Sequence, residues 1–466
     1  MHNNILLRFA PSPTGLLHIG NIRIAVINYL QAKKLQGKFV LRIDDTDHER
    51  SRKHFADQII ADIEWLGLHY DHIAFQSQRT DIYERYFAIL KENDMIYECF
   101  ESTEELAAMR KKQTNEKKPP VYNRTSLSLT EHEKNTLRTK RTPYWRFKLS
   151  QKDITWHDLI HGNITINTST ISDPVIKKPN GEFTYTFASS CDDFDMKISH
   201  IIRGDDHITN SAAQIEMWNA FMALTSPHEQ KMPQIQLAHM PLFSMSDGTS
   251  LSKREMSAAT IQSLRENFIQ PLAICNTMAR IGTNMQQNIV SDMSALIEEF
   301  NINKISTGSI AFDMQSITQA NKMLLTNLTC EQVQDITGQK KYSQQFWELI
   351  KDNISSLSDI NTWYKILSER DYQYDSTDEN YLRLMHECSQ KHHTYDAWIS
   401  ELKNISQRRG KELFHEIRLA LTGQEQGPKL EAMIKFLGWD EVQNRFAHAL
   451  ICHQNKNRGK NGTTTI

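Results

Sequence analysis

The twelve residues Ala10-Pro11-Ser12-Pro13-Thr14-Gly15-Leu16-Leu17-His18-Ile19-Gly20-Asn21 end one regular element and begin another. Before them, Ile5-Leu6-Leu7-Arg8-Phe9-Ala10 reads as a short apolar strand. After them, from Ile19, the residues Ile22, Ala25, Val26, Tyr29 and Leu30 recur on one helical face. Pro11, Pro13 and Gly15 break regular structure in between. Gly37 reads as the stop of that helix, Phe39–Ile43 as a second strand, and Phe55, Ile59, Ile60, Ile63 and Leu66 as the apolar face of a second helix. This β-α-β-α order predicts a parallel sheet with right-handed crossovers. In such a sheet a loop at a strand's C-terminal end opens on the ligand crevice. Free N–H groups at the helix start suit a phosphate, Gly15 and Gly20 let a nucleotide lie against the backbone, and His18 can donate to a phosphate oxygen. An isolated His-Ile-Gly would sooner read as a loop with a core histidine; the whole twelve-residue string reverses that.

The chain around this motif has 466 residues, enough for three or more structural units. With 39% hydrophobic and 24% charged residues it is neither collagen-like nor disordered. A formal net charge of -2 excludes a globally basic nucleic-acid coat. Locally the balance differs. Arg110–Lys148 holds twelve Lys/Arg against Glu116, Glu131 and Glu133, in a segment where the α/β pattern lapses before returning near Phe183. Residues of about 80–180 therefore read as an insertion between two halves of one sheet domain. The six cysteines (99, 191, 275, 330, 388, 452) form no CxxC pair, and a reduced compartment is expected. Met1–Asn4 runs directly into strand-like residues, so no signal peptide is expected, and no stretch approaches a membrane span. After about residue 320 strand patterns give way to short helical segments bearing Trp347, Trp363, Trp398 and Trp439.

Three further motifs carry chemistry. Leu41-Arg42-Ile43-Asp44-Asp45-Thr46-Asp47 sets acids at the exit of the second strand, where one could hold an ammonium group; read alone they would equally cap the next helix. Phe183-Thr184-Tyr185, Asp192-Asp193 and Ile201-Ile202-Arg203-Gly204 come next. Arg8 and Arg203 beside a Tyr hydroxyl suit a carboxylate, because guanidinium binds it as a fork and a neutral amide would not compensate two buried cations. The competing reading pairs these arginines with nearby acids. Ser246-Asp247-Gly248-Thr249-Ser250-Leu251-Ser252-Lys253-Arg254 is a turn-bearing loop with cations able to meet a polyphosphate.

The first string resembles the "HIGH" signature of class I aminoacyl-tRNA synthetases, in the form found in glutamyl-tRNA synthetases of bacterial type. Leu41–Asp47 is similar to that family's Arg-Ile-Glu-Asp-Thr-Asp, with Asp44 in place of the Glu that binds the amino group. Ser250–Arg254 resembles the "KMSKS" signature, written Lys-Leu-Ser-Lys-Arg in the family, with Ser250 replacing the first Lys. Ser189 and Asp205-Asp206-His207 also depart, from the family's Asn and Glu-Glu-Trp.

The resemblance implies an α/β fold: a Rossmann-like parallel-sheet catalytic domain (1–80 and 181–240), an α+β insertion binding the tRNA acceptor end (81–180), a stem-contact segment with the signature loop (241–320), and an all-α anticodon-binding region (321–466). It implies ATP and Mg²⁺, L-glutamate and tRNA(Glu) as substrates and partners. His18 and Lys253 would be catalytic. Pro11, Ser12, Pro13, Thr14, Gly15, His18, Gly20, Asn21, Lys253 and Arg254 would bind ATP. Arg8, Ala10, Ser12, Asp44, Tyr185 and Arg203 would bind glutamate. With Cys99 alone in the insertion, no structural zinc and no resident metal are expected. A segment near Leu349–Ser355 lacks the Arg that excludes one anticodon base in discriminating relatives, which leaves tRNA(Gln) as a second or alternative substrate. A cytoplasmic monomer is expected. The rival functions are a small-molecule nucleotidylyltransferase, disfavoured by the insertion and helical end, and a tRNA-binding paralogue with lost catalysis, suggested by Ser250 and Asp44.

Overall fold

The computed structural model describes residues 5–47, 49–225, 235–244, 260–373 and 378–461. The chain forms two compact units, Met1–Leu264 with Pro271–Met314, and Arg265–Gln270 with Gln315–Ile466.

The first unit is built on β1 (Leu6–Phe9), α1 (Ile19–Lys34), β2 (Lys38–Ile43), α2 (Lys53–Trp65) and β3 (His72–Phe75). These continue into α3 (Thr80–Glu92), β4 (Ile96–Cys99), α4 (Thr103–Asn115), α5 (Glu131–Arg138), β5 (Tyr144–Phe147), β6 (Asp153–Asp158), β7 (Gly162–Asn167) and β8 (Val175–Lys177). The chain then forms α6 (Tyr185–Asp195), β9 (His200–Gly204), α7 (Ile208–Thr225) and β10 (Gln236–Met240). The main sheet has the order β3-β2-β1-β9-β10-β6-β7, and β4, β5 and β8 make a separate antiparallel sheet. From β3 to β6 every pairing is parallel; only β7 runs antiparallel to its neighbour. The chain leaves β1 toward β2 and β3 on one side and returns as β9 and β10 on the other, so the strand order reverses between β1 and β9. Ligand crevices of open α/β sheets lie at such a reversal.

Residues 153–167, read from sequence as insertion, differ from that reading. They supply β6 and β7 to the main sheet, with Leu237 of β10 paired to Asp158. The lapse of the α/β pattern belongs to the small sheet and its two helices, α4 and α5, which have no buried residues.

Strand register sorts the side chains. Leu7, Phe9, Phe39, Leu41 and Ile43 are 3% exposed or less and share one apolar face. Arg8 pairs with Val40, Leu7 with His200 and Arg203 with His239. With a side-chain period of two, Arg8, Arg42, Arg203 and His239 therefore fall on the opposite face. That face meets Asp193 of α6 and Ser211 and Gln214 of α7 through hydrogen bonds.

The helix stop differs from the sequence reading in a useful detail. The left-handed residue after α1 is Gln36 (φ 53), not Gly37. Gly37 is required for closeness: a Cβ there would lie 2.5 Å from Ile5 Cγ2 and 2.7 Å from the Ile5 carbonyl oxygen. Gly37→Ala is accordingly expected to cost about 1–3 kcal/mol by overpacking, read as a lower urea midpoint with unchanged slope.

In the second unit the described residues from Gln315 on are helical or irregular, with no strand. Trp347, Trp363 and Trp398 are buried in one apolar core with Ile417 and Leu421, and Trp439 packs against it partly exposed. Most of the tryptophans thus serve packing. Arg408 is engaged as well, paired with Asp378 and 4.1 Å from the Tyr381 ring, whereas Arg409 and Lys411 are exposed.

Candidate active site

The reversal between β1 and β9 opens a cleft of about 780 Å³. Arg8, Ala10, Pro11, Ser12, Thr14, Gly15, His18, Gly20, Asn21, Asp44, Tyr185 and Arg203 all line it. Pro13 does not. It is buried, and its carbonyl accepts the Arg52 amide at 3.0 Å, so it shapes the loop from behind. Lys253, Arg254 and Ser250 lie outside the described residues. The chain on either side of them is at the cleft: Phe243 is in its wall, and Thr260 forms a β-bridge with His18.

His18 is the N-cap of α1. Its Nδ1 accepts the Gly20 amide at 3.2 Å, and its own amide donates to Asn21 Oδ1. Burial holds the imidazole pKa below its usual value. A neutral ring whose Nδ1 accepts carries its proton on Nε2, which leaves an N–H donor for a ligand oxygen. A Cβ on Gly20 would stand 3.2 Å from that ring, so the glycine keeps the imidazole in place. A Cβ on Gly15 would meet nothing within 4 Å, in keeping with open space for a ligand. The first turn of α1 has no acidic residue to oppose an anion.

Beneath the cleft floor lies a buried ionic network. Arg42, fully buried, donates to both Asp44 oxygens (2.7 and 3.3 Å), to Asp193 Oδ1 (2.7 Å) and to Ser189 Oγ (3.3 Å). Arg8 donates to both oxygens of Asp193 (3.0 and 3.3 Å). Burial opposes ionisation of Asp193, but Arg8 and Arg42 outweigh it and hold the carboxyl below its usual range. Burial pushes the Asp44 carboxyl up to about 6, against the pull of Arg42. Asp192 accepts from Arg79, Gln76 and Tyr83. Sequence reading left Arg42 and the two acids of α6 without roles, although all three were in view. The departure at Ser189 falls on Arg42.

Arg203 is different. It is buried, and its Nη2 donates to Ser211 Oγ (2.5 Å) and Gln214 Oε1 (2.6 Å). Its Nε and Nη1 have no hydrogen-bond partner among the described residues. The ion-pair reading of the arginines therefore describes Arg8, while Arg203 keeps donors unspent at the cleft wall. Tyr185 stands at the start of α6 and His207 lies 5.8 Å from its ring. Ser211, Gln214, His239 and Asp158 were not singled out from sequence; no motif spacing marks them.

The basic segment also sorts itself. Arg124 pairs with Asp173, Arg138 with Glu98, and Arg141 with Glu105, while Arg146 is buried against Tyr122. Arg110, Lys111, Lys112, Lys117 and Lys140 are exposed and make no ion pair among the described residues. In the small sheet, burial pushes the Cys99 thiol up to about 11, and its Sγ lies 3.6 Å from the Tyr122 hydroxyl.

Residues 4–319 match the family of tRNA synthetases class I (E and Q), catalytic domain, and residues 318–450 match an anticodon binding domain. The chain is 39% identical over 443 residues to glutamate–tRNA ligase 1 of Roseobacter denitrificans, covering 92% of this chain and 98% of the relative. It is 38% identical over 465 residues to glutamate–tRNA ligase 2 of Bartonella bacilliformis, covering 95% and 99%. Among solved structures it is similar to a glutamate tRNA ligase from Elizabethkingia meningosepticum in complex with its amino acid. There the TM-score is 0.78 at 27% identity, over 96% of this chain and 99% of that one.

Proposed function

The chain belongs to the glutamate–tRNA ligases of the class I aminoacyl-tRNA synthetases, and from that premise we propose how its cleft performs the reaction. It is an aminoacyl-tRNA ligase that activates L-glutamate with ATP and transfers it to the 3′-terminal ribose of tRNA. The small-molecule nucleotidylyltransferase reading has no support beside the matched anticodon-binding domain.

In the proposed arrangement the glutamate side-chain carboxylate takes the unspent donors of Arg203, assisted by the Tyr185 hydroxyl. This rests above all on one observation: a buried guanidinium at the cleft wall with two unpartnered nitrogens. Asp44, ionised at neutral pH and fixed by Arg42, attracts the α-ammonium. Arg8 acts mainly through Asp193 and sets the floor on which glutamate lies. ATP would lie along Pro11–Asn21, with its phosphates toward His18 Nε2–H and the N-terminal end of α1. The α-carboxylate of glutamate attacks the α-phosphate, pyrophosphate leaves, and the tRNA ribose hydroxyl then attacks the mixed anhydride to release AMP. Nothing in this sequence needs a covalent enzyme intermediate; positioning and charge stabilisation supply the rate. Mg²⁺ would come with the ATP substrate and supply positive charge against the developing phosphate charge.

The exposed cations Arg110, Lys111, Lys112, Lys117 and Lys140 are proposed to meet phosphates of the tRNA acceptor end, an attraction that falls with salt. The helical unit would read the anticodon. Charging of tRNA(Gln) beside or instead of tRNA(Glu) is the alternative, and the charging assay below separates the two. A cytoplasmic monomer fits this reading; among the described residues no helix is long and apolar enough to cross a membrane.

The test is charging of purified tRNA(Glu) and tRNA(Gln) with ATP and labelled glutamate. Arg203→Ala is expected to raise the glutamate KM about 10–100-fold, the worth of hydrogen bonds to a charged group, with the ATP KM little changed. An unchanged glutamate KM would remove Arg203 from the substrate site.

A further inference from the structure

Arg203 is held by uncharged acceptors, in contrast to its neighbours. Arg8 is paired with Asp193, and Arg42 with Asp44 and Asp193. Among the described residues no ion pair involves Arg203; its Nη2 meets Ser211 Oγ and Gln214 Oε1. Beyond Ser211 the hydrogen-bond chain ends on a carboxylate two residues away. Asp158 Oδ2 lies 2.6 Å from His239 Nδ1, and His239 Nε2 lies 2.7 Å from Ser211 Oγ. Asp158, His239, Ser211 and Gln214 are all 0% exposed.

The proton order along this chain follows from its end. A carboxylate only accepts, so His239 Nδ1 must carry the hydrogen. In a neutral ring Nε2 then accepts, and the Ser211 hydroxyl donates to it at 2.7 Å in preference to the His207 carbonyl at 3.3 Å. Ser211 Oγ is left with lone pairs, and those face Arg203 Nη2. The other Asp158 oxygen is saturated by the amides of Ile160, His161 and His239 (3.0, 3.1 and 3.3 Å). The carboxylate thus fixes the direction of every hydrogen bond up to the guanidinium without giving it a counter-charge.

We propose that Gln214 and the Ser211–His239–Asp158 chain are positioning residues that hold Arg203 with neutral acceptors and so reserve its positive charge for the side-chain carboxylate of glutamate, making them determinants of the choice of glutamate over glutamine. The proposal rests on the reading of Arg203 given above. A carboxylate at position 214 would satisfy the same donor equally well and cancel the charge; a substrate carboxylate would then be repelled, while a neutral amide would lose little.

Gln214→Glu is the discriminating variant, because it keeps shape and hydrogen bond and changes only charge. In the full-length enzyme with ATP and tRNA(Glu), the glutamate KM is expected to rise at least tenfold. The ATP KM should stay within about twofold, and inhibition by L-glutamine should strengthen relative to glutamate binding. A glutamate KM within twofold of the parent, while Arg203→Ala raises it, overturns the proposal and leaves the reading of Arg203 intact. If Arg203→Ala itself has no effect, the reading falls. Should Gln214→Glu not fold, Ser211→Ala against Ser211→Thr decides. Loss of glutamate affinity in the first, restored by the hydroxyl of the second, supports the proposal, and equal behaviour of the two sinks it.

Discussion

Arg42→Met is expected to lower the unfolding free energy by about 3–5 kcal/mol, the usual consequence of removing one partner from a buried ionic set. Methionine fills much of the same volume, so the effect isolates the lost charge. Both Asp44 oxygens lose their donors and Asp193 loses one of two. The loss should also depend on pH with a definite sign. Asp44 already titrates in the fold at about 6, above an unfolded carboxyl, and without Arg42 its folded pKa rises further. A carboxyl raised in the fold binds extra protons there, so stability falls as pH rises between the unfolded and folded values. Asp193 is held low by Arg8 and Arg42 and contributes stability above the unfolded pKa, part of which the variant forfeits. Asp44 therefore makes the deficit larger at neutral pH than near pH 5, whereas the share lost at Asp193 is already present at both. Urea melts of parent and variant at the two pH values test this; a deficit that is small and independent of pH would mean the network is not a unit.

Lys253→Ala should reduce the rate of glutamyl-adenylate formation about 10²–10³-fold, the effect of removing one group that meets developing charge. Ser250 stands where relatives of this type carry a first lysine, so Lys253 and Arg254 are the only cations between Ser246 and Arg254. Less reserve remains when one is removed. Phe243 in the cleft wall and the His18–Thr260 bridge bring the described residues on either side of this segment to the cleft. Pyrophosphate exchange measures the step, and filter binding of tRNA controls for general damage. Affinity for tRNA should stay within about twofold; equal loss of both would assign the loop a structural role.

Much of the site was legible because its pieces are contiguous. Pro11–Asn21 declares a strand, a break and a helix within a dozen residues, and the cleft gathers nearly all of them. Arg42 stood in a quoted motif, yet its partner Asp193 is 151 residues away, and only the strand register brings them together. Asp158, His239 and Ser211 belong to three elements with no common motif. The insertion was misjudged at β6 and β7 because an edge hairpin has no helix between its strands, so its pattern looks foreign to a doubly wound sheet. The net charge of Arg110–Lys148 was read correctly, but charge alone does not tell which arginines are spent on Glu98, Glu105 and Asp173.

The β6–β7 hairpin bears on how this enzyme can be cut and recombined. A graft or deletion taken at 81–180 would remove two strands of the main sheet with the appendage and leave β10 as a bare edge, open to pairing with other chains. It would also carry off Asp158, and with it the anchor of His239. The transferable module is smaller and in two pieces, Ile96–Phe147 and Val175–Lys177, joined through the scaffold between them. Chimeras exchanging only those pieces should stay soluble where whole-insertion swaps aggregate.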